Sequence, residues 1–141
     1  MKQVIKNHSG LSLIELLIII GLFGALITLG LFVLSNERAR VRDSQRIADI
    51  TRIQAAFQLL YFEKASYKEA ASGCASVGDD VNQCGLGKYL NGLGALRDPG
   101  RFKYQISRVP DESDYGVAFN LERAYGGLKA GQHVLSKNGI K

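Results

Sequence analysis

From Leu16 to Leu34 the sequence LLIIIGLFGALITLGLFVL runs for 19 residues without a charge or a proline. At about 1.5 Å per helical residue it covers a hydrocarbon core of ~30 Å. Fourteen of these residues are Leu, Ile, Val or Phe. Each favours insertion by about 0.3–0.6 kcal/mol, against a cost of roughly 3 kcal/mol for a central carboxylate. The segment therefore inserts even with Glu15 at its border. A cleaved secretory signal has a shorter apolar region, about 7–15 residues, followed by a small-residue cleavage site. This run instead passes into SNERARVRD, so the apolar helix is expected to stay in the mature protein. A chain of 141 residues then has room for one modest domain beyond it.

Charge alone leaves the orientation close to a tie. Lys2, Lys6 and the amino terminus precede the span, whereas Arg38, Arg40, Arg42 and Arg46 follow it, offset by Glu37 and Asp43. The cysteines decide the matter. Cys74 and Cys84 enclose ASVGDDVNQ, a stretch of turn formers, and the two histidines, His8 and His133, lie too far away in sequence to complete a metal site. A disulfide is expected rather than two separate buried thiols. It would contribute about 2–3 kcal/mol by loop closure and belongs outside the cytoplasm. The short leader then faces inward and residues 35–141 outward.

Glu15 raises a question of its own. Its carboxylate either reaches to the head groups from near the end of the span or meets a positive charge supplied by another chain. Gly10-Leu11-Ser12-Leu13-Ile14-Glu15, behind a short basic leader and ahead of an uninterrupted apolar helix, resembles the class III signal of type IV pilins and type II secretion pseudopilins. The resemblance implies a prepilin leader at 1–10, cleavage by prepilin peptidase between Gly10 and Leu11, and N-methylation of Leu11. It further implies a membrane and filament-core helix at 11–34, with Glu15 neutralising a neighbour's amino terminus during assembly. The implied partners are copies of the chain or other pilins, the peptidase and an inner-membrane assembly platform. The implied localisation is a single pass through the inner membrane, then an extracytoplasmic filament. Where the family usually has phenylalanine as the first mature residue, this chain has Leu11. Gly21, Gly24 and Gly30 occupy a membrane half that in many members contains a proline.

Beyond Asn36 the pattern changes without a breaker. Ile47, Ile50, Ile53, Phe57, Leu60 and Lys64 recur at three- and four-residue intervals, one face of a helix, with Asp43, Arg46, Asp49, Arg52 and Gln58 placed elsewhere. The expectation is one helix from Ser12 to Lys64, roughly 80 Å long, with residues 35–64 as its amphipathic half. RFKYQISR (101–108) and DYGVAFNLE (114–122) alternate apolar and polar residues about the turn VPDESD, and GQHVLSK (131–137) follows a glycine-marked reversal. The predicted fold is α+β and pilin-like: a long N-terminal helix packed on a three-stranded antiparallel sheet, with residues 65–141 as the head. Residues 65–100 read as a surface connection, with a short helical turn near Lys88–Leu93.

Other chemistries find little support. Asp111, Glu112 and Asp114 are weak calcium candidates and read equally as a solvated turn; Asp79-Asp80 is weaker still. His133 lies in an alternating strand without a catalytic partner, and GLGKYLNGLG lacks the lysine–hydroxyl ending of a phosphate loop. No enzyme and no cofactor are expected. With 18 Lys+Arg against 13 Asp+Glu the net charge is +5, but the basic residues are scattered apart from RARVR (38–42), so nucleic acid is not a required partner. Three functions follow in order of preference: a filament subunit, a single-pass anchored binding protein, and a DNA-uptake pilin.

Overall fold

Helix α1 spans Leu13–Lys64 in the computed structural model, which describes residues 12–141. It starts where the Ser12 carbonyl accepts the Leu16 N–H at 3.0 Å. It stops at Ala65, whose φ of +52° turns the chain away while its N–H still bonds to the Tyr61 carbonyl at 2.8 Å. Between these points no proline interrupts the ladder. The chain falls into two units, Met1–Glu37 and Arg38–Lys141, so α1 contributes to both.

In the first unit, every Leu, Ile, Val and Phe from Leu13 to Leu34 is exposed, from 38% at Ile19 to 77% at Leu13. The helix is apolar on all sides there and long enough to cross a membrane.

The second unit packs the rest of α1 against four antiparallel strands, β1 (Gln105–Arg108), β2 (Gly116–Leu121), β3 (Gly131–Ser136) and β4 (Gly139–Ile140), in the order β1-β2-β3-β4. This corrects the expectation of three strands. Lys137 and Asn138 turn the chain so that Ser136 pairs with Gly139 and Leu135 with Ile140. Lys141 adds reciprocal 3.0 Å bonds to Val134. The first strand is also shorter than 101–108, because the Tyr104 carbonyl bonds to the Val81 N–H rather than to β2. The 78–81 segment covers the outer edge of β1, with Gly78 N–H to Ile106 O at 2.7 Å and Ile106 N–H to Asp79 O at 2.8 Å. That edge is thus closed to other strands. A bulge lies between Ile106 and Arg108 opposite Gly116. A Cβ at Gly116 would stand 2.6 Å from Ser107 Oγ, so only glycine lets the bulged chain approach this closely.

Ile50, Ile53, Phe57 and Leu60 of α1 meet Ile106, Val117, Phe119, Leu121 and Leu135 of the sheet in one core. The Phe57 and Tyr115 rings stack at 3.7 Å. Strand alternation thus places apolar side chains inward as expected, with His133 half-buried and 5.6 Å from the Phe119 ring. The 65–100 connection, expected on the surface, instead supplies nine of the 21 core residues, among them Tyr67, Val81, Leu86 and Leu93. Its irregular spacing carries no helical or strand period, so the burial was not visible as a pattern. It folds through three single-turn 3-10 helices, Lys68–Ala71, Val81–Gln83 and Leu93–Ala95. The turn expected near Lys88–Leu93 begins earlier, at the Leu86 carbonyl, which accepts Tyr89 and Leu90 N–H groups at 2.9 Å.

Candidate functional site

Two features of the chain demand a physical explanation, and each lies within one unit. The first is the apolar segment. Its hydroxyls are satisfied locally: Thr28 Oγ1 donates to the Gly24 carbonyl, and Ser35 Oγ to the Phe32 carbonyl at 2.8 Å. Such back-bonding lets a polar side chain sit in a lipid-like environment. Glu15, in the first turn, has the helix N-terminal dipole nearby but no ion-pair partner among the described residues. The first turn thus presents one carboxylate on an otherwise apolar exposed surface. Gly10 and Leu11, the expected processing site, lie outside the described residues.

The second feature is a buried charge cluster on α1. Asp43 and Arg46, expected on the polar face, are both 0% exposed. The Arg46 guanidinium grips Asp98 with two bonds, Nε to Oδ2 at 2.6 Å and Nη2 to Oδ1 at 2.9 Å. Its Nη1 donates to Asp43 Oδ1 at 2.7 Å and to Glu122 Oε1 at 2.8 Å. Asp43 in turn accepts the backbone N–H groups of Glu122 and Arg123 at 2.9 and 2.8 Å. Arg42 Nε reaches Glu122 Oε1 at 2.8 Å, and its Nη2 pairs with Oε2. The Phe102 ring lies against the Arg46 guanidinium, 5.0 Å from its centroid. A Cβ on Gly100 would come within 2.8 Å of Arg46 Nη2, so the loop beside Asp98 needs a residue without one. The signal for this cluster was present in the spacing. Positions 43, 46, 50, 53, 57 and 60 form a stripe at intervals of three and four, and its first two members are charged.

The ion pairs set the titration of their members. Arg42, then Arg46, hold the Glu122 carboxyl down at about 2 against an ordinary 4.5. Burial alone would raise the Asp98 carboxyl. Arg46 and the Gly100 and Phe102 N–H groups outweigh it and leave the group below its ordinary range. Hydrogen bonding to Asp98 raises Arg46 further above its usual value despite burial, so it stays cationic. Depressed carboxyl values mean that the unfolded chain binds these protons first. The stabilisation is complete above the ordinary carboxyl range and is lost as pH falls through the folded values. Thermal melts of the chain are expected to be flat from neutral pH to about 5 and to fall progressively between about 4.5 and about 2.

Cys74 and Cys84 are joined by a disulfide, their Cα atoms 4.9 Å apart. Gly73 makes the approach possible: its φ is +86°, and a Cβ there would lie 2.1 Å from the Gln83 carbonyl oxygen. Converting both cysteines to serine is expected to cost about 2–3 kcal/mol, read as a lower urea midpoint with a slightly steeper slope, since the unfolded chain without the cross-link exposes more surface.

The other expected candidates serve the fold. Asp111 Oδ1 accepts the N–H groups of Ser113 and Asp114 at 2.7 and 2.8 Å, while Asp111 Oδ2 and Asp114 Oδ2 face Arg108 at 3.2 and 2.9 Å. Those bonds to Ser113 and Asp114 draw the Asp111 carboxyl well below its ordinary value. Glu112, the third calcium candidate, lies exposed in the same turn. Asp79 Oδ2 accepts the Ser76 N–H at 2.9 Å, and Asp80 pairs with Lys103 at 3.3 Å. Among the described residues no group of three or more His, Cys, Asp or Glu side chains is gathered for a metal ion. Comparison with protein-family models, curated proteins and solved structures finds no match for the chain.

Proposed function

We propose that the chain is a structural subunit of a type IV pilus or a type II secretion-like pseudopilus, assembled through its N-terminal helix. The observation that carries this reading is the apolar surface of Leu13–Leu34, exposed on every side, with one carboxylate, Glu15, in its first turn. Lipid alone would explain the apolar surface. It does not explain an acid that costs roughly 3 kcal/mol toward the bilayer centre. An amine freed at Leu11 of a neighbouring copy gives that acid a partner, and a buried charge is tolerated when paired. The disulfide supports a head on the oxidising side of the membrane. In this reading prepilin peptidase cuts between Gly10 and Leu11 and methylates Leu11. The chain then waits in the inner membrane until an assembly platform extracts it.

Intact mass and amino-terminal sequencing of the chain, extracted from membranes of a host that contains the peptidase, test the reading. Loss of residues 1–10 with a methylated Leu11 is the expected result. An unprocessed chain beginning at Met1 would overturn it in favour of a single-pass anchored binding protein.

A further inference from the structure

The run RARVR opens the second unit, and its arginines divide into two kinds. The chain has nine arginines. Five of them, Arg42, Arg46, Arg52, Arg97 and Arg108, are engaged with carboxylates or carbonyls. The other four, Arg38, Arg40, Arg101 and Arg123, are exposed, and their guanidinium groups have no hydrogen-bond or ion-pair partner among the described residues.

These four gather around the same two turns of α1. Arg38 and Arg40 directly precede Arg42. The Arg123 N–H bonds to Asp43 Oδ2 at 2.8 Å. Arg101 follows Gly100, where a Cβ would lie 3.5 Å from Arg42 Cδ and 2.8 Å from Arg46 Nη2. The acids at this place are already committed: Asp43, Asp98 and Glu122 are all taken up by Arg42 and Arg46. Glu37 is the one nearby acid outside that network. Six arginines against these four acids leave the place with a net positive charge, and within a Debye length of about 8 Å its field is only weakly screened.

Depth selects the partner. Arg38 lies four residues and Arg40 six residues beyond Leu34, the last residue of the uncharged run. At 1.5 Å per residue that is about 6 and 9 Å along the helix, within or just beyond a head-group layer of about 5–8 Å per leaflet. We propose that Arg38 and Arg40 bind the phosphates of anionic phospholipids in the leaflet where α1 leaves the membrane. Guanidinium forks suit phosphate oxygens, and each basic group near such a surface adds about 1 kcal/mol, or fivefold in affinity. This pair needs only the membrane span, not the filament, so it stands or falls apart from the assembly reading.

The test uses the full chain in neutral detergent micelles, titrated with phosphatidylglycerol or phosphatidylcholine and read by lipid adducts in native mass spectrometry. Phosphatidylglycerol is expected to be preferred. Arg38→Gln should weaken its binding about fivefold and the Arg38→Gln/Arg40→Gln pair about 25-fold. The Arg38→Lys/Arg40→Lys pair should retain most of it, and Lys137→Gln should leave it intact. Since neither guanidinium group has a hydrogen-bond or ion-pair partner among the described residues, melting curves of the glutamine variants should overlay the wild type. Equal binding of the two lipids, or full phosphatidylglycerol binding by Arg38→Gln/Arg40→Gln, overturns the proposal. So does inorganic phosphate that displaces the lipid at equal concentration, since the site would then be one for a free anion.

Discussion

Arg46→Met is expected to destabilise the second unit, Arg38–Lys141, by about 3–5 kcal/mol, enough to unfold a large fraction of a domain whose total stability is of order 5–15 kcal/mol. Methionine fills much of the space, so the loss is electrostatic rather than a cavity. Three carboxylates, two of them almost without solvent access, would be left around an apolar side chain. At neutral pH each must then ionise without a partner or bind a proton, and both cost free energy. Arg46→Lys should lose less but still substantially, because one ammonium cannot reproduce the two-bond grip on Asp98 together with bonds to Asp43 and Glu122. Urea unfolding of the full chain in detergent, followed by tyrosine near-UV circular dichroism, reads both. A change below about 1 kcal/mol for Arg46→Met would mean that the cluster is hydrated and worth no more than a surface pair.

Glu15→Ala is expected to separate two properties that share one helix. Removing the carboxylate relieves an insertion cost that is roughly 3 kcal/mol at the bilayer centre and smaller at the border of the span, so membrane integration should be equal or better, and under the proposed function cleavage after Gly10 should be unaffected. Under the proposed function, filament yield should fall to background, because the neighbour's amine would enter an apolar core without an acid to meet it. Glu15→Asp keeps the charge but shortens the reach, and should recover filaments in part. Electron microscopy of sheared fractions beside a membrane fractionation gives both readouts. Wild-type filament numbers from Glu15→Ala would remove charge pairing from the assembly model.

The long helix was legible because its signals are local and repetitive: an uncharged run, then a stripe at 50, 53, 57 and 60 with no breaker. The inward faces of β1 and β2 were legible for the same reason, since alternation over Tyr104–Ile106 and Tyr115–Leu121 leaves one choice of side. The fourth strand escaped because two residues are too few to show a period, although Asn138-Gly139 is a hairpin signal in its own right. The buried cluster escaped for a different reason. Arg46 is indistinguishable from a surface arginine until Asp98 and Glu122, 52 and 76 positions away, are brought to it. A charge at a stripe position reads as a departure from the apolar pattern, although at 43 and 46 it continues the buried face. The core contribution of 65–100 depends on glycine-permitted close approaches at Gly73 and Gly85, which composition does not reveal. Glu15 stood out by contrast with its neighbours, and the disulfide by the number and spacing of its two cysteines.

The buried charge cluster around Arg46 also has a mechanical meaning. Tension applied along the polypeptide at Arg38 reaches, within about two helical turns, side chains bonded to the end of β2 and to the loop at Asp98. The load therefore passes sideways into two distant stretches of chain before it reaches Phe57 and the oily interior. A head tied in this way resists being peeled from its stalk one residue at a time, and must instead yield several charged bonds together.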